Sequence, residues 1–120
     1  MPATTRRGGC HCGTVRYTVD IDLSAPVTQC NCSICGRTGT LLSFVPAPAF
    51  KLEKGEEALT DYQFGNRHIH HLFCKVCGVR SFARGQGPQG PMVAINARCL
   101  DDVDVNRTAF NVRQFDGKSR

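Results

Sequence analysis

No stretch of this sequence approaches the roughly 20 consecutive apolar residues that a membrane-spanning helix needs. Its first nine residues, Met1-Pro-Ala-Thr-Thr-Arg-Arg-Gly-Gly9, lack the apolar segment of a secretory signal. The expected location is therefore the cytoplasm, where thiols stay reduced and disulfides are rare. Low-complexity linkers, blocks of like charge and shifts of composition are also missing, so the 120 residues are expected to form one domain, residues 1–120. No phosphate-binding loop, Ser-His-Asp set or pair of acid–base carboxylates can be picked out. Clustered positive charge is scarce too. Fifteen Lys and Arg against ten Asp and Glu give a formal +5, but only Arg6 and Arg7 are adjacent, and a nucleic-acid footprint needs its basic residues gathered on one face.

Helical periodicity is hard to find, whereas short alternating runs recur. Thr14 to Val19 alternates β-branched and aromatic residues, and Thr40 to Val45 is a compact apolar run ended by Pro46-Ala-Pro48. Phe50 to Leu52 continues extended toward a turn at Gly55, and Leu59 to Phe64 alternates up to a turn at Gly65-Asn66. Ile69 to Phe73, Arg80 to Arg84 and Met92 to Ala97 read as further strands, with Gly85 to Pro91 a flexible loop between the last two. Cys99 to Asp104 reads as a turn of helix and Ala109 to Phe115 as a final extended segment. Many short strands at near-regular spacing predict a mainly β fold, a sandwich or open barrel.

What the chain has in quantity is cysteine. Seven of its eight cysteines fall into three clusters, Cys10-His11-Cys12, Cys30-Asn31-Cys32-Ser33-Ile34-Cys35 and Cys74-Lys75-Val76-Cys77, each followed at once by glycine. A metal knuckle reverses the chain while backbone N–H groups point at thiolate sulfur, and glycine tolerates the positive φ such a reversal asks for. Cys10 and Cys12 share one side of an extended segment, since strand side chains alternate. With the knuckle of Cys74 and Cys77 they can close a four-thiolate tetrahedron, with Zn–S distances of about 2.3 Å, that ties distant parts of the chain together. Cys30, Cys32 and Cys35 offer three ligands from one loop and leave a fourth position open, the pattern of a reactive zinc site and the one expected at partial occupancy. Three thiolates on Zn²⁺ carry a net −1, which makes a poor carbonyl electrophile but a reasonable anchor for an incoming thiol, held there as thiolate. Seven bound thiolates and two zinc ions contribute −7 and +4, which brings the formal +5 to about +2.

Other readings stand beside these. Disulfides are disfavoured by the reducing compartment and the C-x-C spacing, and a different division of the seven cysteines stays open. Cys99 has no partner in the sequence and reads as a buried inert thiol, a nearby thiol or an occasional fourth ligand. His11 lies between two ligands and points away from them on an extended chain. His68 and His70 share one strand face and His71 takes the other, which leaves surface, metal-supporting and ligand roles open. Arg37, two residues after Cys35, can hold an anionic substrate beside the open site, offset thiolate charge or simply lie on the surface.

The ordered strings Gly8-Gly-Cys-His-Cys-Gly-Thr-Val-Arg-Tyr17, Cys30-Asn-Cys-Ser-Ile-Cys-Gly-Arg37 and Phe73-Cys-Lys-Val-Cys-Gly78 resemble the glutathione-dependent formaldehyde-activating enzyme family, which includes S-(hydroxymethyl)glutathione synthase-like and centromere protein V-like members. The likeness runs from Gly8 to Phe82, with Leu52 to Gly55 and Tyr62 to Gly65 in between, and more loosely through Ala97 to Asp101 and Phe115 to Gly117. The resemblance implies a β-tent of antiparallel sheets with zinc where they meet. It implies a structural zinc on Cys10, Cys12, Cys74 and Cys77, and a catalytic one on Cys30, Cys32 and Cys35. The activity it implies is a carbon–sulfur lyase reaction, the reversible addition of the glutathione thiol to formaldehyde. The leading expectation is thus an enzyme joining a thiol such as glutathione to a small aldehyde, with Arg37 as a candidate contact for the thiol cosubstrate. The competing one, from relatives acting in chromatin or cytoskeletal organisation, is a non-catalytic zinc scaffold that binds a protein or nucleic acid.

Overall fold

The computed structural model describes residues 3–64, 67, 69–103 and 111–116. The mainly β expectation is borne out. Strand β1 (Thr4–Gly9) pairs antiparallel with β2 (Arg16–Ile21), and β2 pairs on its other side with β5 (Phe50–Lys54), making a three-stranded sheet. The larger sheet takes β3 (Val27–Cys30), β4 (Leu42–Pro46), β6 (Leu59–Tyr62), β7 (His70–Cys74), β8 (Phe82–Gly87), β9 (Gly90–Asn96) and β10 (Val112–Phe115) in the spatial order β10-β3-β4-β9-β8-β7-β6. All its pairings are antiparallel except that of β10, which runs parallel to β3 with Phe115 opposite Cys30. One short helix, α1 (Cys35–Thr38), follows β3 and ends at Gly39, whose φ of 70° makes the left-handed cap.

Alternation decides what each strand buries. On β2, Tyr17, Val19 and Ile21 point inward, and they meet Phe82 of β8 and Val93 and Ile95 of β9 from the other sheet. Tyr17, Phe50 and Phe82 form an aromatic centre with ring centroids 4.6 to 5.8 Å apart, over which the Arg84 guanidinium lies 5.2 Å from Phe50. Each such ring contributes about 1.5–3 kcal/mol on burial, so this contact between the sheets is the main apolar support of the fold. Cys10 and Cys74 belong to the same buried cluster, one at the end of β1 and the other at the end of β7. The core therefore brings the first cysteine segment to the third.

Several expectations change. Residues 85–91 are not a loose loop: β8 and β9 run on as a hairpin to the pair Gly87–Gly90, and only residues 88–89 turn between them. Here backbone pairing overrides a composition of glycine, proline and glutamine. Gly90, with φ of 121°, permits the tight reversal. The helical turn expected from Cys99 lies slightly earlier, as a 3₁₀ turn at Ala97–Cys99, and Asp104 lies outside the described residues. The turn expected at Gly65-Asn66 and residues 109–110 of the last extended segment are likewise outside them. Strand β1 was not evident in the sequence, because its buried positions are glycines. A Cβ on Gly9 would stand 2.1 Å from the Val15 carbonyl oxygen, so the turn closes only with hydrogen there.

Candidate metal centres

The β1–β2 connection folds back on itself: the Cys10 amide donates to the Val15 carbonyl (3.1 Å) and the Val15 amide donates to Cys10 Sγ (3.3 Å). Cys10 and Cys12 thus converge through a turn rather than by alternation along an extended strand, with Gly13 at φ 84° allowing the reversal. The β7–β8 connection repeats the construction. The Cys74 amide donates to the Val79 carbonyl (3.1 Å), the Val76 amide to Cys74 Sγ (3.4 Å), and Gly78 adopts φ 78°. The four sulfurs of Cys10, Cys12, Cys74 and Cys77 lie within 4.8 Å of one another, with Cys10 to Cys12 at 3.6 Å and Cys12 to Cys74 at 3.7 Å. A tetrahedron with metal–sulfur bonds of about 2.3 Å has edges of about 3.8 Å, so the donor set fits one thiophilic ion.

Local dipoles favour thiolate at this cluster. The amides of Cys12 and Val79 pull the Cys77 pKa down to about 6, and the Thr14 hydroxyl and amide lower that of Cys12. Burial raises Cys10. Cys99 is half-buried beside the cluster but not among its ligands, with its thiol pushed up to about 11 by burial and its S–H donated to the Arg80 carbonyl (3.8 Å). His11 is exposed.

The second cluster begins where β3 ends. Cys30 is fixed by the β3–β10 pairing, and the Asn31 amide donates to the Phe115 carbonyl (3.2 Å). Residues 31–34 then turn so that the Cys32 amide points at Cys30 Sγ and the Cys35 amide at Cys32 Sγ, each at 3.4 Å. The three sulfurs lie within 4.8 Å of one another, and among the described residues no further cysteine, histidine or carboxylate ligand atom joins them. The glycine after this cluster behaves differently from the other two: Gly36 sits inside α1 and the positive φ falls at Gly39, because Cys35 opens a helical turn instead of closing a knuckle. Burial pushes the Cys35 thiol up to about 11, helped by Cys32 and Cys30. At Cys32 burial works the same way, yet the amides of Cys35 and Ile34 outweigh it and lower the thiol. Three soft sulfur donors with amides already aimed at them fit the same kind of ion.

Around this second cluster stand Arg80, Phe64 and Asn96, for which the sequence suggested no role at the site, together with His71, for which it left one open. The Arg80 guanidinium is near enough to Cys35 for its charge to favour that thiolate, and Cys32 acts on it in turn. Its Nη2 donates to His71 Nδ1 (2.6 Å), while Nη1 is buried with no partner in the protein among the described residues. Since arginine can only donate, His71 Nδ1 is an acceptor and its proton resides on Nε2. Burial, and then the Arg80 charge, bring the His71 pKa down to about 4. The Phe64 ring stacks on this imidazole at 5.2 Å. Asn96 fastens the arrangement from below, donating through Nδ2 to the Arg80 carbonyl (3.0 Å) and accepting from the Leu41 amide (3.4 Å). Of the other candidates, Arg37 is exposed and donates through Nη1 to the Ser33 carbonyl (2.8 Å), and His70 pairs with Asp61 (2.7 Å). His68 lies outside the described residues. A hint of Arg80 was available in its place three residues past Cys77, but its pairing with His71 depends on the β7–β8 register.

Two cysteine clusters that could each hold a metal ion, one of four sulfurs between the two sheets and one of three, mark a mainly β protein with two candidate metal sites. The family model of the glutathione-dependent formaldehyde-activating enzymes matches residues 5–115, and the chain belongs to that family. Among solved structures it is similar to a structural-genomics protein from Rhodobacter sphaeroides, at 29% sequence identity over 89% of this chain and 99% of that one, with a TM-score of 0.77. Among the described residues no helix is long and apolar enough to cross a membrane.

Proposed function

We propose that this chain is a zinc-dependent enzyme of the carbon–sulfur lyase class that reversibly adds a thiol, glutathione by family, to formaldehyde or a similar small aldehyde. The observation that carries the reading is the contrast between the clusters: four sulfurs complete a tetrahedron in one, and three leave a position for a ligand in the other. Cys10, Cys12, Cys74 and Cys77 hold a structural zinc, and Cys30, Cys32 and Cys35 hold the catalytic one. When bound at the three-sulfur site, zinc holds an incoming thiol in its anionic, nucleophilic form at neutral pH. The protein's part is to keep the three sulfurs converged, which it does through the amides of Cys32 and Cys35 and the β3–β10 pairing. Arg37, exposed at the end of α1, is the rim contact for a carboxylate of the cosubstrate. In the forward direction a sulfur–carbon bond forms, the carbonyl π pair moves to oxygen, and that oxygen takes the proton the thiol gave up. A scaffold reading draws on the exposed Tyr62, Phe64 and Ile69, which suit a protein partner.

Because thiols and formaldehyde combine without a catalyst, product formation is uninformative. The test is the exchange rate at equilibrium between glutathione, formaldehyde and their adduct, followed by NMR with the wild-type chain and with Cys35→Ser at equal concentration. Acceleration by the wild type alone supports the activity. Equal rates would refute it and leave the scaffold reading.

A further inference from the structure

Arg80 is the best-supported group near the three-cysteine cluster without an assigned task. Its guanidinium neighbours Cys35, its backbone carbonyl is held by Asn96, whose side chain also accepts from the Leu41 amide just beyond α1, and its Nη2 is tied to His71 Nδ1. That leaves Nη1, a charged donor shielded from solvent with no acceptor in the protein among the described residues. A buried donor left without a partner is costly, and of the four such side-chain atoms among the described residues Arg80 Nη1 is the one on a cation whose charge acts on the three-cysteine cluster. Charge points to the kind of ligand. Three thiolates around a divalent ion leave −1, so an anionic fourth ligand takes the centre to −2 in a half-buried site, whereas a neighbouring guanidinium restores −1.

We propose that Arg80 is a binding residue for an anionic sulfur at the open position of the Cys30–Cys32–Cys35 centre, its Nη1 donating to the ligand's thiolate. The assignment rests on the functional reading above. Because Arg80 neighbours Cys35, the contact it offers is to the ligand's sulfur, and carboxylates of a longer thiol are left to groups farther from the cluster. His71 and Asn96 are positioning residues for it. A sulfur bonded to the aldehyde carbon is neutral, so the same contact holds the thiol substrate more strongly than the adduct and favours product release.

The test uses the full chain with cobalt in both clusters, titrated with glutathione, with 2-mercaptoethanol (a thiol without carboxylates) and with neutral imidazole. The readout is the sulfur-to-cobalt absorption and the ligand-field bands. Arg80→Gln should weaken both thiols about ten-fold or more and leave imidazole within two-fold, while Arg80→Lys should keep thiol affinity within a few-fold. Thiol binding by Arg80→Gln equal to wild type overturns the proposal. So does a loss for glutathione but not for 2-mercaptoethanol, which would assign Arg80 to a carboxylate. If Arg80→Gln does not fold, a ten-fold loss in Arg80→Lys, which keeps the charge, also overturns it. A wild-type chain whose spectrum responds to no thiol refutes instead the functional reading on which the proposal stands.

Discussion

Replacing Cys77 with serine tests whether the closed cluster holds the two sheets together. The cluster joins the β1–β2 turn to the β7–β8 turn, and Cys12 and Cys74, whose sulfurs meet across the sheets at 3.7 Å, are separated by 62 positions in sequence. Cross-linking a loop of that length removes about 4 kcal/mol of chain entropy from the unfolded state. A domain of ordinary stability has about 5–15 kcal/mol in total, so losing this link removes a large share of it. The loss extends to packing, because Cys10 and Cys74 sit in the buried cluster with Tyr17, Phe50 and Phe82. Cys77→Ser should therefore lose one metal equivalent and either fail to fold or melt far below the wild type. Metal analysis with urea and thermal unfolding measures both. Cys99→Ser is the control: among the described residues its side chain bonds the Arg80 carbonyl and the Asn96 amide, which a hydroxyl can also do, so a change of about 1 kcal/mol or less is expected. A Cys77→Ser chain that lacks the metal yet keeps the wild-type urea midpoint would refute a structural role for this cluster.

Mild chelation should remove about one metal equivalent, from the three-cysteine cluster, while far-ultraviolet circular dichroism stays unchanged; loss of both metals together with the fold would mean the clusters do not differ in kind. Acidification should expose His71, whose folded pKa is held down to about 4 while the unfolded chain protonates at about 6.5. Above pH 6.5 both states carry the neutral ring and the group contributes no slope. Between about 6.5 and 4 only the unfolded state binds the proton, so stability falls as the pH drops. Urea midpoints between pH 7.5 and 5.5 should decline less steeply in His71→Asn, which keeps an acceptor near Nδ1, and an equal slope would exclude His71 as the source.

The metal-binding segments were legible because their chemistry is local. A knuckle needs two or three cysteines within a few residues and, in two of the three cases, a glycine at positive φ, and all of that is written in consecutive positions. Strands with apolar alternation, such as β2 and β9, were legible for the same reason. Strands without it were less so. β1 buries only Gly8 and Gly9, so its pairing with β2 defines it. β10, all four of whose residues are exposed, falls inside the extended segment expected over Ala109 to Phe115, although its parallel partner β3 is not written locally. The bodies of β8 and β9 are legible, but their tips over Gly85 to Pro91 read as a loop from turn-like composition, although pairing of the two strands with each other carries them to Gly87 and Gly90.

The surroundings of the three-cysteine cluster depended on register, which no local pattern reveals. His71 lies opposite Ala83 across β7 and β8, and that alignment turns its ring inward to the Arg80 guanidinium. Shifting the pairing by one residue would bring His70 inward instead and leave Arg80 without an acceptor. Arg37 drew attention from its nearness to Cys35 in sequence, yet Arg80, 45 positions away, is the cation whose charge acts on that sulfur. The two clusters also differ in what their neighbours do. At the closed one, backbone amides and the Thr14 hydroxyl supply the counter-dipoles, and four sulfurs satisfy them. At the three-sulfur one, a full positive charge stands half-buried beside the cysteines, with one shielded donor that has no acceptor among the described residues. A site that only had to hold an ion has no need of that donor, whereas one that admits an anion and releases a neutral product has a use for it.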